Sequence, residues 1–309
     1  MRSGFITLIG RPNAGKSTLL NAILRQKVSI ISHKPQTTRN RILGIYTDDD
    51  VQAVMIDTPG VHTAKGRLHR AMVQVAVDAL TDADAVCWVL DISKMAQRAE
   101  NNRPLISKGE QAILRLLGQA SPEKLTVALN KIDLIAKPLL LPILAAVQAE
   151  LPGAELVPIS ARRKQGVEAL LAVWTRQLPE GPALFPEDQV TDVSERFITT
   201  ELIREKLFRE THQEIPYATA VEIEQWTEEP SEQEGQPARI EIMARILVER
   251  DSQKGIVIGK GGSRLKKIGT AVRHELEKML GARVFLALHV SVSSEWTNNP
   301  RMLRELGYE

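Results

Sequence analysis

Short apolar runs alternate with helical patterns through the first half of the chain. Buried strands are predicted at residues 5–9, 51–56, 85–90, 125–129 and 156–159, and helices near 16–25, 66–80, 108–118, 138–150 and 166–177. Runs that are apolar throughout indicate strands covered on both faces. The alternation therefore predicts an α/β fold with a mostly parallel sheet, in which ligands bind at the carboxyl ends of the strands.

The pattern changes after residues 178–187, which contain three prolines and one glycine and show no sustained periodicity. Beyond them we predict an α+β arrangement, with a helix at 194–209, strands at 218–224, 240–248 and 284–292, and a short terminal helix after Asn299. The polar residues 228–237 are predicted to form a mobile hairpin loop. These features indicate two domains, residues 1–178 and 191–309, joined by a linker at 179–190.

The sequence G-R-P-N-A-G-K-S at residues 10–17 stands between the first predicted strand and the first predicted helix. Its glycines let successive N–H groups point into one cavity at the positive end of the helix, where an anion fits. Lys16 adds a cation for the β- and γ-phosphates, and the Ser17 hydroxyl is placed to ligate Mg²⁺. The predicted phosphate-binding residues are Gly10, Asn13, Ala14, Gly15, Lys16, Ser17 and Thr18. The motif predicts a nucleoside triphosphate site without indicating which base.

A second polar motif, Asp57-Thr58-Pro59-Gly60, directly follows the predicted strand at 51–56. Asp57 is expected to hold a Mg²⁺-bound water, and the Gly60 N–H is expected to meet a γ-phosphate. On its own, D-T-P-G is a common turn. After a phosphate loop it indicates a sensor of Mg²⁺ and the γ-phosphate.

The motif N-K-I-D at residues 130–133 follows the predicted strand at 125–129. A carboxylate accepts two parallel hydrogen bonds, and guanine offers N1–H and N2–H₂ as that pair, whereas adenine offers neither. Asp133 therefore predicts guanine selectivity, with Asn130 on the opposite edge of the base and the Lys131 stem over the ring. Ser160 and Ala161, which follow another strand, are expected to supply a backbone N–H to the guanine O6.

A glycine loop, G-K-G-G at residues 259–262, precedes a helical stripe of apolar residues that runs from Leu265 to Met279. Such a loop presents a helix N-terminus to phosphate and lets a nucleic-acid backbone approach closely. Together with the order helix-strand-strand-helix-helix-strand, it predicts a type II KH domain. The predicted RNA-binding residues are Gly259, Lys260, Gly261, Gly262, Arg264, Lys266 and Lys267.

Charge supports a local nucleic-acid surface. The whole chain carries a formal net charge of +2, yet nine basic residues stand against three acidic ones between Arg250 and Arg283. This concentration of positive charge indicates binding to a phosphate backbone. A solvated helix face is the alternative interpretation. The charge-rich residues 94–108 are interpreted only as solvated loops.

The order of these motifs resembles that of the GTPase superfamily, and residues 10–13 with P-Q-T-T-R at 35–39 resemble the bacterial Era GTPases, in the TrmE-Era-type branch. The resemblance implies that Thr38, or the adjacent Thr37, joins Ser17 on Mg²⁺. In related GTPases a glutamine orients the attacking water. Val61 holds that place, so slow intrinsic turnover is expected.

The resemblance also implies partners. Family members that use a monovalent cation carry an asparagine where Asn13 stands, so K⁺ binding is one interpretation and a left-handed turn is the other. For the whole chain it implies GTP and GDP binding, recognition of the 3′ end of 16S ribosomal RNA and a role in small ribosomal subunit assembly, with the nucleotide state gating RNA binding.

Weaker signals in the sequence concern the cellular compartment of the protein. Cys87 is the only cysteine and stands in an apolar run, which indicates a core thiol in a reducing compartment. The first predicted strand begins at Phe5, so we expect no leader, and no apolar segment approaches 18 residues, so we expect no membrane span and a cytoplasmic protein. We also expect a monomer. Peripheral contact with the inner face of the cell membrane stays open.

Three alternatives remain at this point. A GTPase of another branch that acts on tRNA or ribosomes would lack the glycine loop. A metabolic ATP kinase is disfavoured by Asp133. An RNA-binding protein with a purely structural nucleotide would show the same RNA affinity in both nucleotide states.

Overall fold

The computed structural model describes residues 1–32, 34, 38–61, 67–118, 121–230, 237–294 and 296–308. The chain forms two compact units, with the main division between Asp192 and Val193. Thr37 and most of the predicted loop at 228–237 lie outside the described residues. In the part of the chain that is described, no helix is both long enough and apolar enough to span a bilayer.

The described residues of the first unit form six strands and six α-helices. The strands are β1 Arg2–Ile9, β2 Ile42–Thr47, β3 Val51–Asp57, β4 Ala85–Asp91, β5 Leu125–Asn130 and β6 Glu155–Ile159. The helices are α1 Lys16–Leu24, α2 Arg67–Thr81, α3 Ile92–Glu100, α4 Lys108–Leu117, α5 Leu140–Glu150 and α6 Val167–Gln177. Single 3-10 turns lie at 122–124, 132–134 and 137–139.

The six strands form one sheet in the order β2-β3-β1-β4-β5-β6. β2 runs antiparallel to β3, and every other neighbouring pair is parallel. β3, β4 and β5 are buried at every position, which explains why their sequences are mostly apolar. The predicted α/β fold with a mostly parallel sheet is confirmed.

Two elements of the first unit were not predicted. β2 is a short antiparallel edge strand, so its sequence lacks the long apolar run of the central strands. α3 overlaps the residues interpreted as a solvated loop, and that interpretation is wrong for residues 94–100. Met95 and Ala96 pack into the core, and Asp91 caps the helix by accepting from the Ser93 N–H at 3.2 Å. Polar and charged residues occupy five of the nine positions of α3, and the buried apolar residues are only Ile92, Met95 and Ala96, so the helical pattern is weak in the sequence.

The second unit follows the predicted order of elements. They are α7 Glu195–Glu210, β7 Ala220–Glu229, β8 Arg239–Val248, α8 Asp251–Ile258, α9 Ser263–Leu280, β9 Arg283–Val292 and α10 Pro300–Glu305. β8 pairs antiparallel with β7 and parallel with β9 in a three-stranded sheet. Ile268, Val272 and Leu276 of α9 are buried in the same core as alternate residues of β8. The predicted type II KH arrangement is confirmed.

The proline-rich residues after α6 hydrogen-bond to the first unit. Ser3 N–H donates to Pro179 O at 3.0 Å, and Ile45 N–H donates to Val190 O at 2.9 Å. Between these points the buried Gln52 Oε1 accepts from the Leu184 N–H at 2.6 Å and the Phe185 N–H at 2.9 Å. The segment predicted as a linker is thus bound along β1 and β2. The limits of the two domains stay a prediction.

Candidate functional site: a nucleotide cavity and a glycine loop

A cavity of about 620 Å³ lies in the first unit, within the range of small-molecule sites. Most of its wall is built from residues that follow the carboxyl ends of the parallel strands, as expected for such sheets, and the rest comes from the segment between α1 and β2. The lining residues are Pro12, Asn13, Gly15, Lys16, Ser17, Thr18, Ile30, Ile31, Ser32, Thr38, Gly60, Lys94, Asn130, Lys131, Asp133, Leu134, Ser160 and Arg162. The three motifs predicted from separate parts of the sequence therefore meet in one cavity.

The phosphate loop is held by close packing. Gly15 precedes α1 with φ of 105°, and a Cβ at this position would lie 2.2 Å from the Asn130 Nδ2. Only glycine fits there. Lys16 is 6% exposed, and its Nζ donates to Gly10 O at 3.3 Å and Arg11 O at 3.4 Å. Burial lowers the pKa of Lys16 and the charge of Asp57 opposes that shift. A phosphate group would add an opposite charge beside this buried ammonium.

Three hydroxyl groups surround the carboxylate of the fully buried Asp57. Its Oδ2 accepts from Ser17 Oγ at 2.6 Å, Ser29 Oγ at 2.9 Å and Thr38 Oγ1 at 3.5 Å. Ser17 Oγ also lies 3.0 Å from Thr38 Oγ1. Burial raises the pKa of Asp57, while Lys16 and the three hydroxyls act to lower it.

The donor set around Asp57 fits a magnesium ion. Mg²⁺ takes oxygen ligands from one or two protein groups and keeps several waters. Ser17 and Thr38 supply hydroxyl oxygens, and Asp57 Oδ1 is buried without a hydrogen-bond partner among the described residues. That oxygen can accept from a water on the metal. A bound cation would also offset the cost of the buried carboxylate.

The Asn130 side chain joins three loops of the protein by hydrogen bonds, a role beyond the predicted contact with the base. Its Nδ2 donates to Ala14 O at 2.8 Å, and its Oδ1 accepts from the N–H groups of Lys131 at 2.8 Å and Ala161 at 3.0 Å. The Ser160 N–H donates to Gln165 O at 2.9 Å. Both N–H groups assigned to the guanine O6 thus have acceptors within the protein. A contact to O6 therefore requires that one of these bonds be shared or exchanged.

Two neighbouring side chains orient the Asp133 carboxylate. Ser160 Oγ donates to Asp133 Oδ1 at 2.6 Å, and Arg163 Nε lies 3.6 Å from Asp133 Oδ2. The Lys131 Nζ donates to Asn13 O at 2.8 Å and to Asp91 Oδ2 at 2.6 Å. A carboxylate has lone pairs beyond these contacts, so Asp133 can still accept a pair of hydrogen bonds.

The predicted switch residues differ in their surroundings. Thr38 and Gly60 line the cavity. Thr58 does not: its buried hydroxyl donates to Leu8 O at 2.7 Å and binds β3 to β1. Pro59 is buried and does not line the cavity. The Val61 N–H donates to Gly10 O at 3.0 Å, so this loop is bound to the phosphate loop through its main chain.

Sequence reasoning missed several residues of this site. Ser29 touches Asp57, and the remaining unpredicted residues line the cavity: Pro12, Ile30, Ile31, Ser32, Lys94, Leu134 and Arg162. None belongs to a recognised motif except Pro12, which stands inside the phosphate loop. Position three or four residues after the end of a strand was the available signal for Lys94, Leu134 and Arg162. Residues 29–32 offered no such signal.

The glycine loop of the second unit lies between α8 and α9. Gly259, Gly261 and Gly262 have φ of 74°, 58° and 77°. Nothing lies within 4 Å of a Cβ added at Gly261 or Gly262, so the loop is open on that side. The left-handed backbone, which other residues rarely adopt, therefore accounts for these two glycines.

The predicted cations beside this loop fall into two groups. Lys260 and Lys266 are exposed and form no ion pair among the residues that the structure describes. Arg264 Nη1 donates to Ile256 O and braces the loop. Lys267 Nζ lies 2.9 Å from Glu210 Oε2 of α7. The positive charge around the loop is therefore partly committed to protein contacts.

Two family descriptions match parts of the chain. Residues 5–131 match the family described as "50S ribosome-binding GTPase", and residues 214–297 match "KH domain". With the cavity and the glycine loop, these matches define the class of protein, a P-loop GTPase domain followed by a KH domain.

Relatives identify the branch within that class. GTPase Era of Geobacter metallireducens is 48% identical over 307 residues, which are 99% of this chain and 98% of the relative. GTPase Era of Staphylococcus haemolyticus is 40% identical over 307 residues, 99% of this chain and 97% of the relative. The chain therefore belongs to the Era family, and it is a GTP hydrolase.

Two solved structures are similar over the whole chain. Era in complex with MgGDPNP and nucleotides 1506–1542 of 16S ribosomal RNA has a TM-score of 0.90 and 36% identity, and the match covers 100% of this chain and 99% of that one. An Aquifex aeolicus Era variant bound to GDP·AlF₄⁻ has a TM-score of 0.87 and 35% identity, with the same coverage.

Proposed function

We propose that this GTPase binds the 3′ end of 16S ribosomal RNA, acts in small ribosomal subunit assembly, and changes its RNA affinity with its nucleotide state. The observation that carries the proposal is the full-length similarity to an Era structure that holds both MgGDPNP and that RNA segment. The nucleotide cavity and the open glycine loop with its basic helix support the two activities separately.

The residue roles follow from the contacts in the cavity. Lys16 and the amides of the phosphate loop neutralise β- and γ-phosphate oxygens, and Ser17 and Thr38 supply hydroxyl ligands to Mg²⁺. Asp57 accepts from a metal-bound water, and Gly60 meets the γ-phosphate. Asp133 selects guanine. When bound, Mg²⁺ neutralises charge on the β- and γ-phosphates.

The barrier to hydrolysis is lowered by electrostatic positioning. The Val61 side chain is aliphatic and buried, so it cannot orient a water molecule. That duty falls to main-chain groups, to Mg²⁺-bound groups or to an outside partner, and slow intrinsic turnover is expected.

Asn13 is proposed to hold a K⁺ ion beside the phosphates. It lines the cavity, although its φ of 64° also fits the alternative role of an asparagine in a left-handed turn. Hydrolysis should be faster in KCl than in NaCl at equal ionic strength. Asn13→Gly keeps the turn and removes the side-chain carbonyl, so it should keep GDP affinity and lose the K⁺ effect. Equal rates in both salts would contradict the K⁺ role.

The gating proposal is tested with a fluorescent oligonucleotide of the 16S 3′ end. We expect anisotropy at fixed salt to show at least fivefold tighter binding with Mg²⁺ and a non-hydrolysable GTP analogue than with GDP, a coupling of about 1 kcal/mol. A Lys16→Met variant, assayed at a nucleotide concentration that saturates the parent but not this weaker binder, should show no difference between the two states. Equal affinities for the parent protein would instead indicate two independent binding modules with a structural nucleotide.

The surroundings of the protein complete the proposal. We place it in the cytoplasm as a monomer, which light scattering at micromolar concentration tests. Peripheral contact with the inner face of the cell membrane stays a prediction, and sedimentation with anionic vesicles tests it.

A further inference from the structure

Ser29 is a fully buried serine outside every motif of the sequence. Its Oγ donates to Asp57 Oδ2 at 2.9 Å. The same oxygen accepts from Ser17 Oγ, a proposed metal ligand, at 2.6 Å. Of the three hydroxyl partners of Asp57, Ser17 and Thr38 are proposed metal ligands, whereas Ser29 is not.

The main chain of Ser29 is fixed by a side chain of α1. Asn21 Oδ1 accepts from the N–H groups of Val28 at 2.9 Å and Ser29 at 3.0 Å, and Asn21 Nδ2 donates to Ser29 O at 2.7 Å. Asn21 stands four residues after Ser17, so both side chains lie on one face of the helix. The helix that carries the proposed metal ligand therefore also aims the Ser29 hydroxyl.

The two oxygens of Asp57 have different surroundings. Oδ2 receives the three hydroxyls, whereas Oδ1 is buried with no hydrogen-bond partner among the described residues. Rotation of the carboxylate would exchange them. The main chain of Ser29 is held at both its N–H and its C=O, so the Ser29 hydroxyl is fixed in place. Its hydrogen bond to Oδ2 therefore opposes the rotation and keeps Oδ1 toward the metal.

We infer that Ser29 is a positioning residue of the magnesium site, aimed by Asn21, which fixes Asp57 so that Oδ1 accepts from a metal-bound water. The inference rests on the proposed Mg²⁺-GTP chemistry and assigns no chemical step to Ser29 itself. Groups that orient metal-site ligands in this way usually change metal affinity about 10- to 100-fold when they are removed.

The test measures the release of a fluorescent GDP as a function of free Mg²⁺, because a cation held by both the nucleotide and the protein is expected to slow nucleotide release. For Ser29→Ala we expect the Mg²⁺ concentration at half effect to rise about tenfold. The release rate in EDTA should stay within twofold of the parent rate. Thr7→Val is the matched control, since Thr7 is fully buried in the same unit and its Oγ1 donates to Ala79 O instead of Asp57.

A double-mutant cycle separates positioning from general damage. Asn21→Leu should raise the Mg²⁺ midpoint, and it should add nothing in the Ser29→Ala background, because both changes remove the same contact. Asn21→Asp keeps the acceptor oxygen but loses the bond to Ser29 O, so its effect should be intermediate.

Two results would overturn the inference. A Ser29→Ala protein with the Mg²⁺ midpoint of the parent would overturn the inference. If this variant does not fold, as thermal melting would show, an unchanged midpoint for Asn21→Asp would overturn it. Failure of the parent protein to bind fluorescent GDP would instead refute the proposed function.

Discussion

The nucleotide site keeps its charged groups inside the first unit, whereas the glycine loop of the second unit keeps them at the surface. Lys16 is 6% exposed and Asp57 is fully buried. The Lys267 side chain is 69% exposed. Charges in a dry site interact strongly and need no rearrangement when the ligand arrives. Exposed cations act through a field that salt screens. A single change should therefore be severe in the first site and graded in the second.

The largest effect is expected for Lys16→Met, which keeps the aliphatic stem and removes the charge. Loss of a buried charge partner typically costs about 3–5 kcal/mol, so affinity for a fluorescent GTP analogue should fall about 100-fold or more. Lys124→Ala, at an exposed lysine of the same unit, should leave it unchanged. Nucleotide affinity within threefold of the parent would remove the contrast between the two sites.

Asp133→Asn should change the base that is selected. The new amide donates where the guanine N2–H₂ also donates, while xanthine presents a carbonyl oxygen at that position. Hydrogen bonds to charged groups contribute about 1.5–3 kcal/mol each, so GTP affinity should fall about 100-fold and that of xanthosine triphosphate should rise. Competition against fluorescent GDP measures both. Glu123→Gln, an exposed carboxylate of the same unit, is the control, and an unchanged preference for GTP would exclude Asp133 as the selecting group.

Lys260→Ala and Lys266→Ala should each weaken RNA binding moderately. Each phosphate contact to a single strand contributes about 0.7 to the slope of log affinity against log salt. Each variant should therefore bind roughly threefold to tenfold more weakly at low salt and show a slope shallower by about 0.7. Lys137→Ala, at an exposed lysine of the first unit, should change neither value. Loss of affinity with an unchanged slope would show that these lysines do not contact phosphate.

The smallest effect is expected at Lys267, because Glu210 already holds its ammonium at 2.9 Å. Lys267→Ala should weaken RNA binding by less than about twofold, since exposed ion pairs contribute little and this cation is partly neutralised. Glu210→Gln should release the lysine and tighten RNA binding slightly. Anisotropy beside Lys266→Ala measures both, and equal losses for the two lysines would show that the ion pair does not matter.

Much of the nucleotide site was predictable because its chemistry is local. The phosphate loop, the Asp57 motif and the Asn130 motif each stand at the end of a buried strand, and parallel strands bring their carboxyl ends together. The prediction for Asn130 was incomplete, since its amide also joins Ala14 to Ala161. The backbone partners of a side chain depend on which loops meet, and periodicity carries no information about that.

The glycine loop was predictable for a similar reason, because short spacing alone sets a glycine turn before a basic amphipathic helix. The protein contacts of its cations were not predictable.

α7 was predicted from its apolar positions, yet Glu201, Arg204 and Glu205 on the same helix are also buried. Arg204 donates to Glu201 and lies over the Phe208 ring at 5.6 Å. Neighbours along the helix satisfy charges that a sequence pattern assigns to solvent.

By itself the sequence determined most of the strands and helices, the three nucleotide motifs and the glycine loop, because each depends on residues close together in the chain. It did not determine β2 and α3. Tertiary structure alone decided that Ser29 meets Asp57 across 28 positions and that Gln52 holds the chain at Phe185 across 133. Such contacts depend on where distant segments cross. Sequence periodicity reports which side of a segment is buried, but not which distant residue lies against it.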